Sequence, residues 1–199
     1  MADLAHHFKA LGPALQAMQQ LGFGAEQCLR GTGIAPETLD QASGAPAFNL
    51  EQEFRFHRNL LELTGDPLLG LHLGRAYKVE NYGLLGYAFL SAPTLRHAMT
   101  IIQNYGLLSF TLFHIQFLVS APEAVLRFSG VRRVPTDLAD LYMERDLAAA
   151  HHGGIVATGA DLKLTAVRST RHGDAYREAY EAHFGCPAPV SYTHLRAHE

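Results

Sequence analysis

The chain has 199 residues, 48% hydrophobic and 18% charged, a balance that supports one folded domain with a sizeable core rather than a disordered protein. Its net charge is −3 and its 16 lysines and arginines are scattered without a dense run. Phosphate contacts need a basic face, so the chain is not expected to grip DNA by itself. Two cysteines, Cys28 and Cys186, are too few for a disulfide framework or a zinc knuckle and point to a reducing compartment. His6, His7 and Lys9 interrupt any leader-like start. No apolar stretch approaches the roughly 20 residues that span a bilayer. The expected location is cytoplasmic, with no membrane partner.

The first eighty residues read as short helices punctuated by glycine and proline. Leu11, Leu15, Met18 and Leu21 fall near helical spacing, closed by Gly22 and Gly24. A second short helix runs through Glu26 to Arg30, and Pro36 opens a turn through Glu37 to Asp40. Ala42 to Ala47 is a loop by composition. Asn49 and Gln52 form a capping-box pattern for a helix with Phe54, His57, Leu60, Leu61 and Thr64 on one face, stopped by Gly65. Asp66 and Pro67 restart a helix at once. Pro93 opens another, in which Leu95, Ala98, Met99, Ile102 and Tyr105 form a stripe.

After Tyr105 the period changes from helical to alternating. Thr111, Phe113, Ile115, Phe117 and Val119 define the apolar face of a strand over Ser109 to Val119. A turn at Ala121 to Glu123 leads to an antiparallel strand over Ala124 to Ser129. Asp137 is placed to cap a long helix carrying Leu138, Leu141, Tyr142, Ala149, His152, Ile155 and Val156 on one side, ended by Gly159. Leu162 to Ser169 reads as a third strand and Asp174 to Phe184 as a last helix ending at Gly185. The expected fold is α+β: a helical N-terminal region, then a small antiparallel sheet with packed helices in β-β-α-β-α order.

Chemistry-bearing residues are dispersed. His151 and His152 are adjacent on a helix and point about 100° apart, so they do not share an ion, and no helical His-x-x-x-His spacing occurs. No metal and no cofactor is expected. Cys28 lacks a neighbouring base and reads as a structural thiol. Gly83 and Gly86 follow no strand and precede no Lys-Ser/Thr pair, so they suit close helix approach or a special backbone angle rather than a phosphate cradle. Glu144 is taken as a solvated or helix-dipole carboxylate. An enzyme is not expected.

The motifs Leu21-Gly22, Gly31 to Ile34, Leu63 to Leu71, Tyr82 to Ala88, Thr94-Leu95 and Phe184-Gly185 recur in a fixed order. Together they resemble the N-terminal, arabinose-binding-like domain of AraC-type transcription regulators. The resemblance covers Leu11 to Pro189 and gives Gly65, Asp66, Pro67, Gly70, Gly83, Gly86 and Gly185 a structural role. It implies a domain that senses a small-molecule effector and self-associates as a homodimer. DNA is then read only by a helix-turn-helix unit beyond this chain. The last ten residues, from Val190 to Glu199, resemble a reading frame of a transposase-type sequencing adapter. We therefore expect a sensing and dimerisation domain over residues 1–189 and a non-native tail over 190–199.

Sensing pockets are mostly apolar with a few orienting polar groups. The candidates are His114, Gln116 and Arg127 on the less apolar strand face, with the aromatic residues Tyr87, Tyr105 and Phe110. The alanines Ala148 to Ala150 are expected to let the long helix approach a second copy. Two other readings compete: a stand-alone small-molecule binding module, and a small enzyme of unrecognised type.

Overall fold

The computed structural model describes residues 10–38, 48–121, 123–131, 134–159 and 162–190. Eight helices and one hairpin follow in order: α1 (Gly12–Gln20), α2 (Ala25–Cys28), α3 (Leu50–Thr64), α4 (Leu69–Gly74), α5 (Leu84–Leu90) and α6 (Leu95–Tyr105). The hairpin β1 (Phe113–Ser120) and β2 (Glu123–Val131) comes next, then α7 (Ala139–Thr158) and α8 (Asp174–Phe184). The fold is α+β. The Ala42 to Ala47 loop, His6, His7 and residues 191–199 lie outside the described residues.

Local chemistry sets the helix ends. Asn49 accepts from the Gln52 amide at 2.9 Å while the Gln52 side chain accepts from the Asn49 amide at 3.0 Å, which completes the capping box of α3. Gly65, Gly159 and Gly185 close α3, α7 and α8 in the left-handed conformation that glycine adopts without strain. Asp66 accepts from the Leu68 amide at 2.8 Å, so the restart is a turn and α4 begins at Leu69. Asp137 does not cap α7. Its carboxylate takes the Nε and Nη2 protons of Arg58 on α3, at 2.7 and 3.2 Å.

Helices α3 and α7 form the centre. Phe56, Leu60, Leu138 and Tyr142 are wholly buried in one cluster with Leu11, Met18 and Leu73. Asn59 donates to the carbonyls of Cys28 and Arg30 at 2.8 and 2.7 Å, tying the end of α2 to α3. Helix α4 lies directly on α7. A Cβ at Gly70 would stand 2.4 Å from the Leu141 carbonyl oxygen, and one at Gly74 would stand 2.4 Å from the Ala148 Cβ. Only glycine permits this approach. Ala148 and Ala149 are therefore packed inside the chain, and Ala150 alone of the small-residue run expected to meet a second copy is half-buried.

Two further expectations are corrected. Glu144 is not solvated: it is wholly buried, pairs with Arg171 and accepts the Tyr180 hydroxyl at 3.0 Å. The segment after α7 does not join the hairpin, whose sheet holds β1 and β2 alone among the described residues. Leu162 to Ser169 instead faces the chain after α8, through Val167 N–H to the Pro187 carbonyl at 3.0 Å and a parallel bridge between Ser169 and Val190. Pro187 and Pro189 carry no amide proton, so that pairing cannot extend into a ladder.

Candidate functional site

The alternation read in the sequence fixes which face of the hairpin turns inward. Ile115 lies opposite Phe128 and Phe117 opposite Leu126, all on the packed side. Helices α5 and α6 and the middle of α7 do not close completely over this face. They leave a cavity of about 90 Å³ lined mainly by Val79, Phe89, Met99, Ile102, Ile115, Leu126 and Phe128, with Gly86 and Gly153 at its helix walls. Gly86 belongs there because its Cβ would collide with the Val79 carbonyl oxygen at 2.1 Å. Gly83, at φ 56°, starts α5 so that this contact can form.

Four polar side chains break the apolar lining besides Tyr77: Tyr82, Ser109, Thr111 and Asp146. Ser109 donates to the Gly106 carbonyl and accepts from the Thr111 amide. Thr111 donates to Asp146 Oδ2 at 2.5 Å and accepts from the Phe113 amide. Both hydroxyls are thus already engaged as donors. The Tyr82 ring leans on Phe110 at 4.8 Å, and its hydroxyl makes no hydrogen bond to the described residues. Burial, then the Asp146 carboxylate, holds the Tyr82 pKa above its ordinary value.

Asp146 is the end of a buried network. Arg145, 1% exposed, donates through Nε to Asp146 Oδ1 at 2.9 Å and through Nη2 to the Phe110 carbonyl at 2.9 Å, and Nη2 also lies 2.8 Å from Asp146 Oδ1 in the ion pair. Its guanidinium lies over the rings of Tyr142 and Tyr77, 4.6 and 5.2 Å from their centroids. Burial alone would lower its pKa, but Asp146 foremost keeps it firmly protonated. The Asp146 pKa is raised by burial, against the opposing pull of Arg145 and Thr111. Tyr142 donates to Glu53 Oε1 at 3.0 Å, and His57 Nδ1 carries a proton that it donates to the Glu53 carbonyl at 3.0 Å, with the Tyr142 hydroxyl 2.9 Å away. Burial drives the His57 pKa down to about 4, which leaves the ring neutral.

The residues singled out from sequence lie elsewhere. Tyr87 and Tyr105 point outward, 75% and 56% exposed. His114 and Gln116 are exposed on the outer hairpin face, where Gln116 stands opposite Arg127. Phe110 alone comes close, bracing Tyr82 and Tyr77 from behind at 4.8 and 6.0 Å. The outer strand face meets solvent because the helices cover the other one. Sequence reasoning missed Tyr82, Thr111 and Asp146. One signal was available: Arg145 and Asp146 fall three and four residues after Tyr142, on the apolar stripe that continues to Ala149. Charge on a core stripe marks a buried polar site.

Similarity to known proteins agrees with this architecture. Residues 22–193 match the family model described as the arabinose-binding domain of AraC transcription regulators, N-terminal. An uncharacterised HTH-type transcriptional regulator of Mycobacterium tuberculosis is 27% identical over 163 residues, which span 82% of this chain and 45% of that protein. The ornithine utilization regulator of Pseudomonas aeruginosa is 25% identical over 175 residues, 87% of this chain and 50% of its own length. The chain thus spans about half the length of these curated relatives. The crystal structure of the transcriptional regulator CdpR from Pseudomonas aeruginosa has the same fold, with a TM-score of 0.63 at 21% identity over 94% of this chain and 53% of that one. The chain belongs to the family of N-terminal arabinose-binding domains of AraC transcription regulators.

Proposed function

We propose that this chain is the effector-sensing part of a transcription regulator and that the cavity beside Asp146 receives the effector. The carrying observation is an apolar cavity of about 90 Å³ whose lining residues include one buried carboxylate, Asp146, and one tyrosine, Tyr82, whose hydroxyl makes no hydrogen bond to the described residues. Apolar walls with few convergent polar groups are what a small-molecule site needs. Catalysis lacks comparable support: the Cys28 and Cys186 thiols are buried and pushed up by burial, and His57 is wholly enclosed.

In this reading, ligand occupancy biases a conformational or dimer equilibrium, which requires unequal affinity for the two states. DNA reading is assigned to the further length that such regulators have. Self-association of two copies belongs to the same proposal, through a surface other than the Ala148–Ala150 run. Ala148 packs on Gly74, while Ala149 and Ala150 line the cavity.

A thermal-shift screen of small metabolites against the chain tests the proposal. A true effector raises the apparent stability by mass action, about 2.7 kcal/mol at a hundredfold excess over Kd. The shift should vanish in Ala150→Phe, which fills the cavity. A compound whose shift survives that substitution binds elsewhere and contradicts the assignment.

A further inference from the structure

We infer that the cavity is built for a compact monoamine in its ammonium form, and not for a sugar or a free acid. This rests on the cavity being the effector site.

Size sets the first limit. A dry cavity of about 150 Å³ admits benzene. At about 90 Å³ the present one suits a body of roughly half a dozen heavy atoms or fewer. Charge sets the second. Among the lining residues no lysine, arginine or histidine occurs, and Asp146 is the one carboxylate. Arg145 does not line the cavity; its Nε and Nη2 face Asp146 and Phe110, and Nη1 lies 4.0 Å from Glu53. An incoming anion would meet Asp146 in an apolar setting with no cation to receive it.

Hydrogen-bonding capacity sets the third. Ser109 and Thr111 already donate their protons within the chain. What remains is an open lone pair on Asp146 Oδ2, which accepts from Thr111, and the Tyr82 hydroxyl. A sugar carries a hydroxyl on nearly every carbon and would bury several of them unpaired. An ammonium group instead donates to Asp146 and to the Tyr82 oxygen, both of which can accept. Tyr82, Phe89 and Phe128 supply the aromatic residue type that attracts a cation, and Met99, Ile102, Ile115 and Leu126 suit an aliphatic body.

The test compares matched probes on the 199-residue chain near neutral pH, read by NMR from the methyl signals of Met99, Ile102 and Ile115. Isobutylamine, isobutanol, isobutyrate and L-arabinose are titrated in turn. Isobutylamine is expected to bind about tenfold more tightly than isobutanol, while isobutyrate and L-arabinose give no saturable change. Asp146→Asn should reduce the amine-to-alcohol ratio to about threefold or less. Because that substitution also loosens Arg145, Tyr82→Phe is measured alongside and should lower the same ratio in a folded chain. Equal or tighter binding of isobutyrate or L-arabinose to these methyls overturns the ligand class and leaves the site standing. A ratio unmoved in both variants also overturns it. If no probe perturbs these methyls while compounds from the thermal screen still bind, the site itself is wrong.

Discussion

Arg145 donates its Nε proton to Asp146 Oδ1 at 2.9 Å and holds Nη2 2.8 Å from the same oxygen, although the two residues are neighbours in the chain. Oδ2 is thereby left to Thr111, which lines the cavity together with Asp146. The pair fixes where the only lining carboxylate points. Asp146→Ala should leave a buried guanidinium without its principal partner, costing about 3–5 kcal/mol. Urea unfolding of the two proteins measures this directly. Asp146→Asn keeps an acceptor for Arg145 and should cost clearly less.

The approach of α4 to α7 admits no side chain at two positions. A Cβ at Gly74 would lie 2.4 Å from Ala148 Cβ and 2.6 Å from the Arg145 carbonyl oxygen. Gly74→Ala should therefore destabilise the chain by about 1–3 kcal/mol, despite the better helix propensity of alanine. Gly74→Ala combined with Ala148→Gly relieves the side-chain clash but not the backbone one, so recovery should be partial. Thermal melts of the two variants check both statements.

Gly153 behaves in the opposite way. Its Cβ would meet Val79 Cγ2 at 3.5 Å, an ordinary contact, inside the long helix α7. Gly153→Ala should stabilise the fold by about 0.8–1 kcal/mol. Because Gly153 lines the cavity, the same methyl should weaken isobutylamine binding severalfold. A gain in stability with unchanged binding would place the ligand away from this wall.

Glu144 on one side and His57 and His183 on the other give opposing pH dependence. Burial pushes the Glu144 carboxyl up to about 7 from an ordinary 4.5, against the opposing pull of Arg171 and Tyr180 and with Asp140 adding to the rise. Between those values the folded chain holds a proton that the unfolded chain has released, so this contribution falls as pH rises. Burial lowers His57 to about 4 from 6.5, with Glu53 opposing and Arg145 assisting, and lowers His183 likewise to about 4. There the unfolded chain takes up the extra proton, and stability rises with pH through that window. Glu144→Gln should remove the falling limb and steepen the rise in stability between about pH 4.5 and 6.5. Denaturant midpoints across that range are the measurement. An unchanged profile would contradict the raised Glu144 value.

Much of the local structure was legible because it is encoded locally. The limits of α8, Asp174 and Phe184, and the capping box of Asn49 and Gln52 are as read from the sequence. So is the alternation that turns Phe113, Ile115 and Phe117 inward. What failed depends on contacts distant in the chain. Glu144 is buried because Arg171 and Tyr180 come 27 and 36 residues later to meet it. Leu162 to Ser169 builds no ladder because the later segment it faces holds Pro187 and Pro189. The candidate ligand residues were read on the polar strand face, whereas the cavity proposed to receive the effector lies behind the apolar one. There the informative polar group sits on α7, and no periodicity in the strand could point to it.

The most direct test of the effector site is a map of backbone amide shifts on titrating the chain with isobutylamine or with a compound selected by thermal shift. The account predicts saturable changes at Tyr82, Met99, Thr111, Ile115, Phe128 and Gly153, around the cavity. Changes confined to His114, Gln116 and Arg127 on the outer hairpin face would contradict it.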